Sequence, residues 1–216
     1  MKKVLAAALL AALLAAGEAM AISAQGSGFG TLATARGIGA GRASFAGGVG
    51  LADATTAFGM VRYGFADYLE GRFKLGLRDD AGMDAVLQIG ADVTYQFWSV
   101  GPQSPNPMDL AFGGMIEYFP PDYLDDVDES LWMFGGYAIG SYPFALNNGM
   151  KLSPYGRLNL RVESFGTDVR GGDNSELEFG LNGGAMLEIT PTLNAYGEFQ
   201  IDGNDGVFLG LEFLIM

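Results

Sequence analysis

The residues able to do chemistry in this chain are few in kind. Its 216 residues include no histidine and no cysteine, which removes histidine bases, thiol nucleophiles and the zinc sites that either would build. What remains is charge. Between Leu69 and Arg78, the charged Glu70, Arg72, Lys74 and Arg78 alternate with Leu69, Phe73, Leu75 and Leu77. The same alternation carries Arg62 before them, then Arg157, Arg161 and Glu163, then Glu178 and Glu188, and finally Glu198. Acids and bases mixed along one face do not make a nucleophile and its base. They suit mutual ion pairing in a space short of water, where an isolated charge is costly. No catalytic residue, cofactor or resident metal is expected, and the chain is not expected to be an enzyme. A second group, Asp122, Asp125, Asp126, Asp128 and Glu129, crowds the stretch PPDYLDDVDE. Oxygen clusters attract hard cations. The run lacks the glycine and the spacing of a calcium-binding helix-loop-helix, so a diffuse acidic rim that recruits divalent cations is the expectation.

The elements that position these charges follow from their period. Side chains that alternate every two residues belong to a strand, since helical spacing would scatter them around every face. By this rule ten strands are expected: Arg42–Leu51, Ala54–Phe65, Tyr68–Arg78, Val86–Trp98, Asp109–Tyr118, Leu131–Tyr142, Met150–Glu163, Glu176–Ile189, Leu193–Ile201 and Val207–Ile215. An eight-stranded alternative demotes the first or the sixth. The sixth is apolar on both faces, so its facing is open, and its Gly136, Ala138 and Gly140 could either leave interior space or meet neighbouring backbone. An even count puts both ends of the sheet on one rim. The connections at that rim hold one acid, Asp67, against thirteen at the other.

The first 24 residues read as a leader. Lys2 and Lys3 precede an apolar run from Val4 to Ala16, and small residues follow. That is a secretory signal peptide, too short for a spanning helix of about 20 residues. Cleavage after Ala24 leaves 192 residues, one domain's worth, and cleavage after Ala21 is the alternative. The remainder carries 10 basic and 24 acidic residues, a net charge of −14. Nucleic acid would be repelled.

One face of each strand is apolar and the other ionic, which fits a soluble barrel with a greasy interior or a membrane barrel with a charged one. Mixed charges, strands of about 9 to 14 residues and aromatic residues recurring near strand ends (Tyr63, Phe65, Tyr95, Trp98, Phe119, Trp132) favour the membrane barrel. The last strand, Phe208 to Met216, with Gly210, Phe213 and Ile215 at its spaced positions, is similar to the C-terminal assembly signal of small bacterial outer-membrane β-barrel proteins. It departs from that signal in ending on Met216 where an aromatic is usual. The resemblance covers residues 25–216 and implies an all-β, antiparallel up-and-down transmembrane barrel, outer-membrane lipid as surroundings and the outer-membrane assembly machinery as a partner. It implies no single activity. The layout expected is a signal peptide over 1–24, a Gly/Ala-rich lead-in over 25–41 on the periplasmic side, and the barrel over 42–216. The function expected is structural or interactive, with an ion-paired lumen and acidic outer loops. The alternatives are a narrow porin-like channel and a secreted soluble ligand-binding barrel.

Overall fold

A computed structural model describes residues 26–52, 54–79, 85–101, 106–120, 130–165 and 175–215. The leader and the acidic run Asp122 to Glu129 lie outside these residues. The strands are β1 (Ala43–Leu51), β2 (Thr55–Ala66), β3 (Leu69–Asp79), β4 (Val86–Trp98), β5 (Asp109–Phe119), β6 (Leu131–Ser141), β7 (Phe144–Ala145), β8 (Lys151–Phe165), β9 (Ser175–Thr190), β10 (Leu193–Ile201) and β11 (Gly206–Ile215). The two-residue β7 only folds back on the start of β8. The other ten form the wall, each antiparallel to its neighbours. β1 closes on β11 through an unbroken register from Ala43 opposite Ile215 to Leu51 opposite Val207. Closure leaves no free sheet edge, the condition for a sheet to survive in hydrocarbon.

Both strands that an eight-stranded wall would omit are fully paired, β1 on either side and β6 with β5 and β8. The wall therefore has ten strands. Val86–Trp98 and Leu193–Ile201 keep their expected limits, and the longest correction is at β8, which runs on to Phe165.

The apolar alternates face out. Phe73 and Leu75 are 52% and 45% exposed, while Lys74 between them is 1% exposed. A soluble barrel with a greasy interior would show the reverse, and that alternative is overturned. β6, ambiguous in sequence, turns Trp132, Phe134 and Ala138 outward and Leu131, Met133, Tyr137 and Ile139 inward. Gly136 and Ala138 thus point away from the lumen. The inward Gly135 is closed over by the backbone and Cβ of Arg161. Aromatic pairs mark the rim that holds the ends of β1 and β11: Tyr63 with Phe65 at 5.2 Å, Phe97 with Trp98 at 5.8 Å, Tyr142 with Phe144 at 4.7 Å. Phe119 departs from the expected belt. It is buried inside against Leu131 and Met133, because the odd residues of β5 all turn inward at that end.

The largest departure concerns the lead-in. Residues 26–35 and Ile38 are buried, and their partners are inward side chains of the wall. The segment runs through the lumen instead of lying outside it. The physical reason is width. An eight-stranded barrel is just wide enough for wall side chains to fill, and interior diameter grows with strand number. Two more strands leave room for one more chain.

The facing predicts opposite outcomes for adjacent substitutions. Leu75→Lys places an ammonium on the outer face and should block stable insertion, at roughly 2–4 kcal/mol near mid-bilayer. Lys74→Leu should still insert. Heat-modifiable gel migration after refolding into lipid distinguishes them.

Candidate functional site

A buried backbone with no ladder of its own must find partners for its polar groups. Along residues 27–41 the wall supplies many of them strand by strand, and the Ser27 and Thr34 hydroxyls serve Phe29 and the Arg36 amide from within. At the far rim the Ser27 amide donates to Asp202 Oδ2 at 3.4 Å, and the Ser27 hydroxyl to Glu117 at 2.8 Å. The Ser27 carbonyl accepts from Gln200 at 2.8 Å and Asn204 at 3.0 Å, and the Gly28 carbonyl from Gln88 at 3.2 Å. Halfway down, the amides of Thr31 and Leu32 donate to the Glu198 carboxylate at 2.8 and 3.2 Å, while Arg72 donates to the Thr31 carbonyl at 2.8 Å. Lower still, the Ala35 amide meets Ser141 at 3.1 Å, Gly37 meets Gln96 at 3.0 Å and Ile38 meets Glu70 at 3.1 Å. Arg62 donates to the Arg36 carbonyl at 2.9 Å. The segment then leaves the lumen at the rim where β1 begins, its Gly41 amide donating to the Gly64 carbonyl at 2.8 Å.

Two of its side chains fill sockets. Phe29 meets Phe58 edge-on with centroids 5.7 Å apart, and the Lys74 ammonium lies 5.5 Å from the Phe29 ring. Leu32 fits where β1 and β11 present Gly48 and Gly210: a Cβ on Gly48 would stand 2.9 Å from Leu32 Cδ1, and one on Gly210 would be closer still.

The charges expected to share the lumen do so in part. Arg62 holds Glu70 at 2.8 Å and Glu212 at 3.3 Å. Arg72 meets Asp92 at 2.5 Å, and Lys74 meets the same Asp92 at 3.0 Å and Glu117 at 3.8 Å. Arg161 pairs with Glu163 at 2.8 Å and Asp202 at 3.1 Å. Glu178 faces inward opposite Arg161 in the β8–β9 register. Arg78 lies buried over the Phe119 ring at 5.8 Å.

Three expected ion pairs take another form. Arg157 makes no salt bridge within 4 Å among the described residues and feels Asp92 only at longer range; it stacks on Tyr137 at 4.0 Å and donates to Thr31 Oγ1 at 3.3 Å. Its level of the lumen is occupied by the segment and a ring, so cation–π contact replaces the pair. Among the described residues Glu198 has no cation within salt-bridge distance and is held by the two segment amides, the Tyr155 hydroxyl at 2.6 Å and Asn182 at 2.9 Å. Glu188 pairs with Lys151 at 3.0 Å, but both are open to solvent at the rim.

Asp92, Glu117, Asp202 and Glu212 are counter-ions that charge alternation on its own did not single out. Asp92 and Glu117 stand on the polar alternates of β4 and β5, so their facing was readable in the sequence. Glu212 interrupts the apolar end of β11, where Gly210 turns in and Phe213 and Ile215 turn out. Asp202 sits beyond the end of β10; burial pushes its carboxyl up to about 6, against the pull of Arg161 and the amides of Asn204 and Ser27. The segment itself gave no signal because its residues have neither period.

The acids and bases inside the wall face one another or the segment, the exposed pairs lie at the rim (Lys151 with Glu188, Arg36 with Asp109), and no cluster of metal-binding side chains occurs among the described residues.

A closed ten-stranded wall, apolar outside and ionic inside, defines a transmembrane β-barrel. No family model and no curated protein matches the chain. Among solved structures it is similar to the N-terminal β-barrel domain of Pseudomonas aeruginosa OprF, at 13% identity and a TM-score of 0.36, covering 82% of this chain and 99% of that one. It is also similar to the β-domain of the Bordetella autotransporter BrkA, at 11% identity and a TM-score of 0.45, covering 82% and 98%. A third is the COG4313 outer membrane channel from Pseudomonas putida F1, at 12% identity and a TM-score of 0.38, covering 87% and 99%.

The two kinds of ion pair predict unequal costs. Arg72→Met leaves Asp92 with Lys74 as its remaining ion-pair partner and a 3.4 Å hydrogen bond from the Tyr137 hydroxyl, and should destabilise the fold by about 3 kcal/mol. Lys151→Met at the open rim should cost under about 1 kcal/mol. Urea unfolding midpoints of the refolded barrels give the comparison.

Proposed function

We propose that the chain is an outer-membrane barrel protein with a structural or interaction role, its lumen sealed against solutes. The observation that carries this is the filled lumen. Residues 26–35 and Ile38 are buried along it, and the ionic groups around them are paired to each other, bonded to the segment or, for Arg157, stacked on Tyr137. A pore for small solutes needs a continuous aqueous path, and here the path is occupied by polypeptide from Ser27 near Asp202 to Gly41 beside Gly64. The outer apolar band supports residence in lipid. The C-terminal strand supports delivery by the outer-membrane assembly machinery. The acidic run Asp122 to Glu129, with its neighbours on the same rim, supports a surface that gathers divalent cations beside anionic headgroups.

In planar bilayers the full chain should insert without current steps. Regular, voltage-independent steps would overturn the sealed reading and favour a narrow channel. Orientation has its own measurement, since the chain has no cysteine. Asp126→Cys should react with an impermeant maleimide on intact cells, whereas Asn147→Cys, exposed in the β7–β8 turn, should react only once the outer membrane is opened. Reversed labelling would invert the barrel.

A further inference from the structure

We infer that the lumen is a peptide-binding tunnel, and that residues 27–38 occupy it as a bound ligand does, gripped by the backbone and separable from the wall. This rests on the filled lumen described above and goes beyond it, because a filler that is a ligand can be exchanged.

Four observations carry it. The wall is complete without the segment, since β1 and β11 close directly on each other. Residues 27–38 take no part in the sheet; their polar contacts are with wall side chains, with the segment's own Ser27 and Thr34 hydroxyls, and, from Arg36, with Asp109 and the Val100 carbonyl, and backbone–backbone pairing with the wall begins only at Gly41. Glu198, Gln96, Ser141 and Glu70 accept from amides, and Arg72 and Gln88 donate to carbonyls, so the grip reads a main chain more than a sequence. Selectivity then lies in the two sockets, one for the aromatic ring of Phe29 and one for Leu32 against Gly48 and Gly210. Between and beside them only small residues fit: a Cβ on Gly30 would come within 2.9 Å of Phe208 Cβ. The class of ligand is a glycine-bearing peptide with an aromatic residue three before a leucine, its backbone turning at that leucine (φ 37° at Leu32), and its occupant is this chain's own N-terminal segment.

The link is placed for cutting. Ala40 and Gly41 are exposed at the rim, and the positive φ of Gly39 (91°) and Gly41 (71°) turns the chain from lumen to wall. A site for a specific protease inserted between Ala40 and Gly41 of the full chain, refolded in detergent, separates ligand from barrel without deleting either. After cutting, the segment should co-elute with the barrel through gel filtration. A fluorescent synthetic peptide of residues 25–41 should then replace it saturably. The same peptide carrying Phe29→Ala and Leu32→Ala should bind at least tenfold more weakly, and a scrambled peptide should not compete. Immediate loss of the cut segment from a barrel that keeps its heat-modifiable migration would overturn the inference. So would equal uptake of the scrambled peptide, or a retained segment that never exchanges.

The uncut natural chain supplies an arm that does not depend on the insertion. Hydrogen exchange should show the amides of residues 27–38 opening together while the strand amides stay protected. Exchange of both in one step would make the segment an inseparable part of the core and overturn the inference. Sealing of the uncut chain is read by conductance alone, so a silent barrel whose segment never exchanges rejects this inference and leaves the sealed reading standing.

Discussion

Asp92 lies 2.5 Å from Arg72 and 3.0 Å from Lys74, and the arrangement of the interior follows from the need behind those two contacts. A carboxylate taken out of water loses several kcal/mol of solvation, so it must meet cations at close range. Those cations must in turn stand on inward positions of the next strand. Arg72 and Lys74 do so because β3 alternates, and β3 can alternate only if its other face meets something apolar. The outward Phe73 and Leu75 meet that condition in lipid. The charge inside and the grease outside are therefore one constraint seen from two faces of a single sheet.

The same requirement, applied to backbone rather than to charge, explains the segment in the lumen. A tube of ten strands is too wide for its own side chains to meet across it everywhere. Water could fill the gap, or polypeptide could. Polypeptide brings an amide and a carbonyl at nearly every residue, each of which needs a partner once buried. The wall supplies those partners from Arg62 on β2, Glu70 and Arg72 on β3, Gln88 and Gln96 on β4, Ser141 on β6 and Glu198 and Gln200 on β10, while Glu117 on β5 accepts from the Ser27 hydroxyl. Several of these also serve ion pairs. The network and the filler are thus interlocked, Arg62 joining Glu70 and Glu212 while also donating to the Arg36 carbonyl.

Much of the wall was legible because a period of two is a local property. β4 and β10 came out with their limits intact, and the facing of Glu70, Arg72 and Lys74 followed from their neighbours. β6 was not legible, since Leu131, Met133 and Ile139 fill the interior with apolar atoms and so erase the contrast that reveals facing. Phe119 misled for the same reason: near a strand end, an aromatic residue reads alike whether it anchors in the interface or lies beneath Arg78. The lumen segment was illegible in principle. Small residues such as Gly28, Gly30 and Ala33 have the composition of a linker, and only the three-dimensional width of the tube makes them the residues that fit.

Glu198 shows how far wall and segment depend on each other. Among the described residues its carboxylate meets four hydrogen-bond donors and no salt-bridge cation, two of the donors being the Thr31 and Leu32 amides. Charge-assisted bonds of this kind are roughly twice as strong as neutral ones. Without the segment the carboxylate would keep only Tyr155 and Asn182, and it would require water or a cation in place of the lost amides. The segment thus stabilises the wall's acid as much as the acid fixes the segment. A lumen emptied of its peptide would be an aqueous one lined by Arg72, Lys74 and Arg157 as well as Glu198 and Asp92, charged with both signs and favouring neither strongly. With the segment in place, the carboxylate of Glu198 and the amides of residues 31 and 32 find partners in one another.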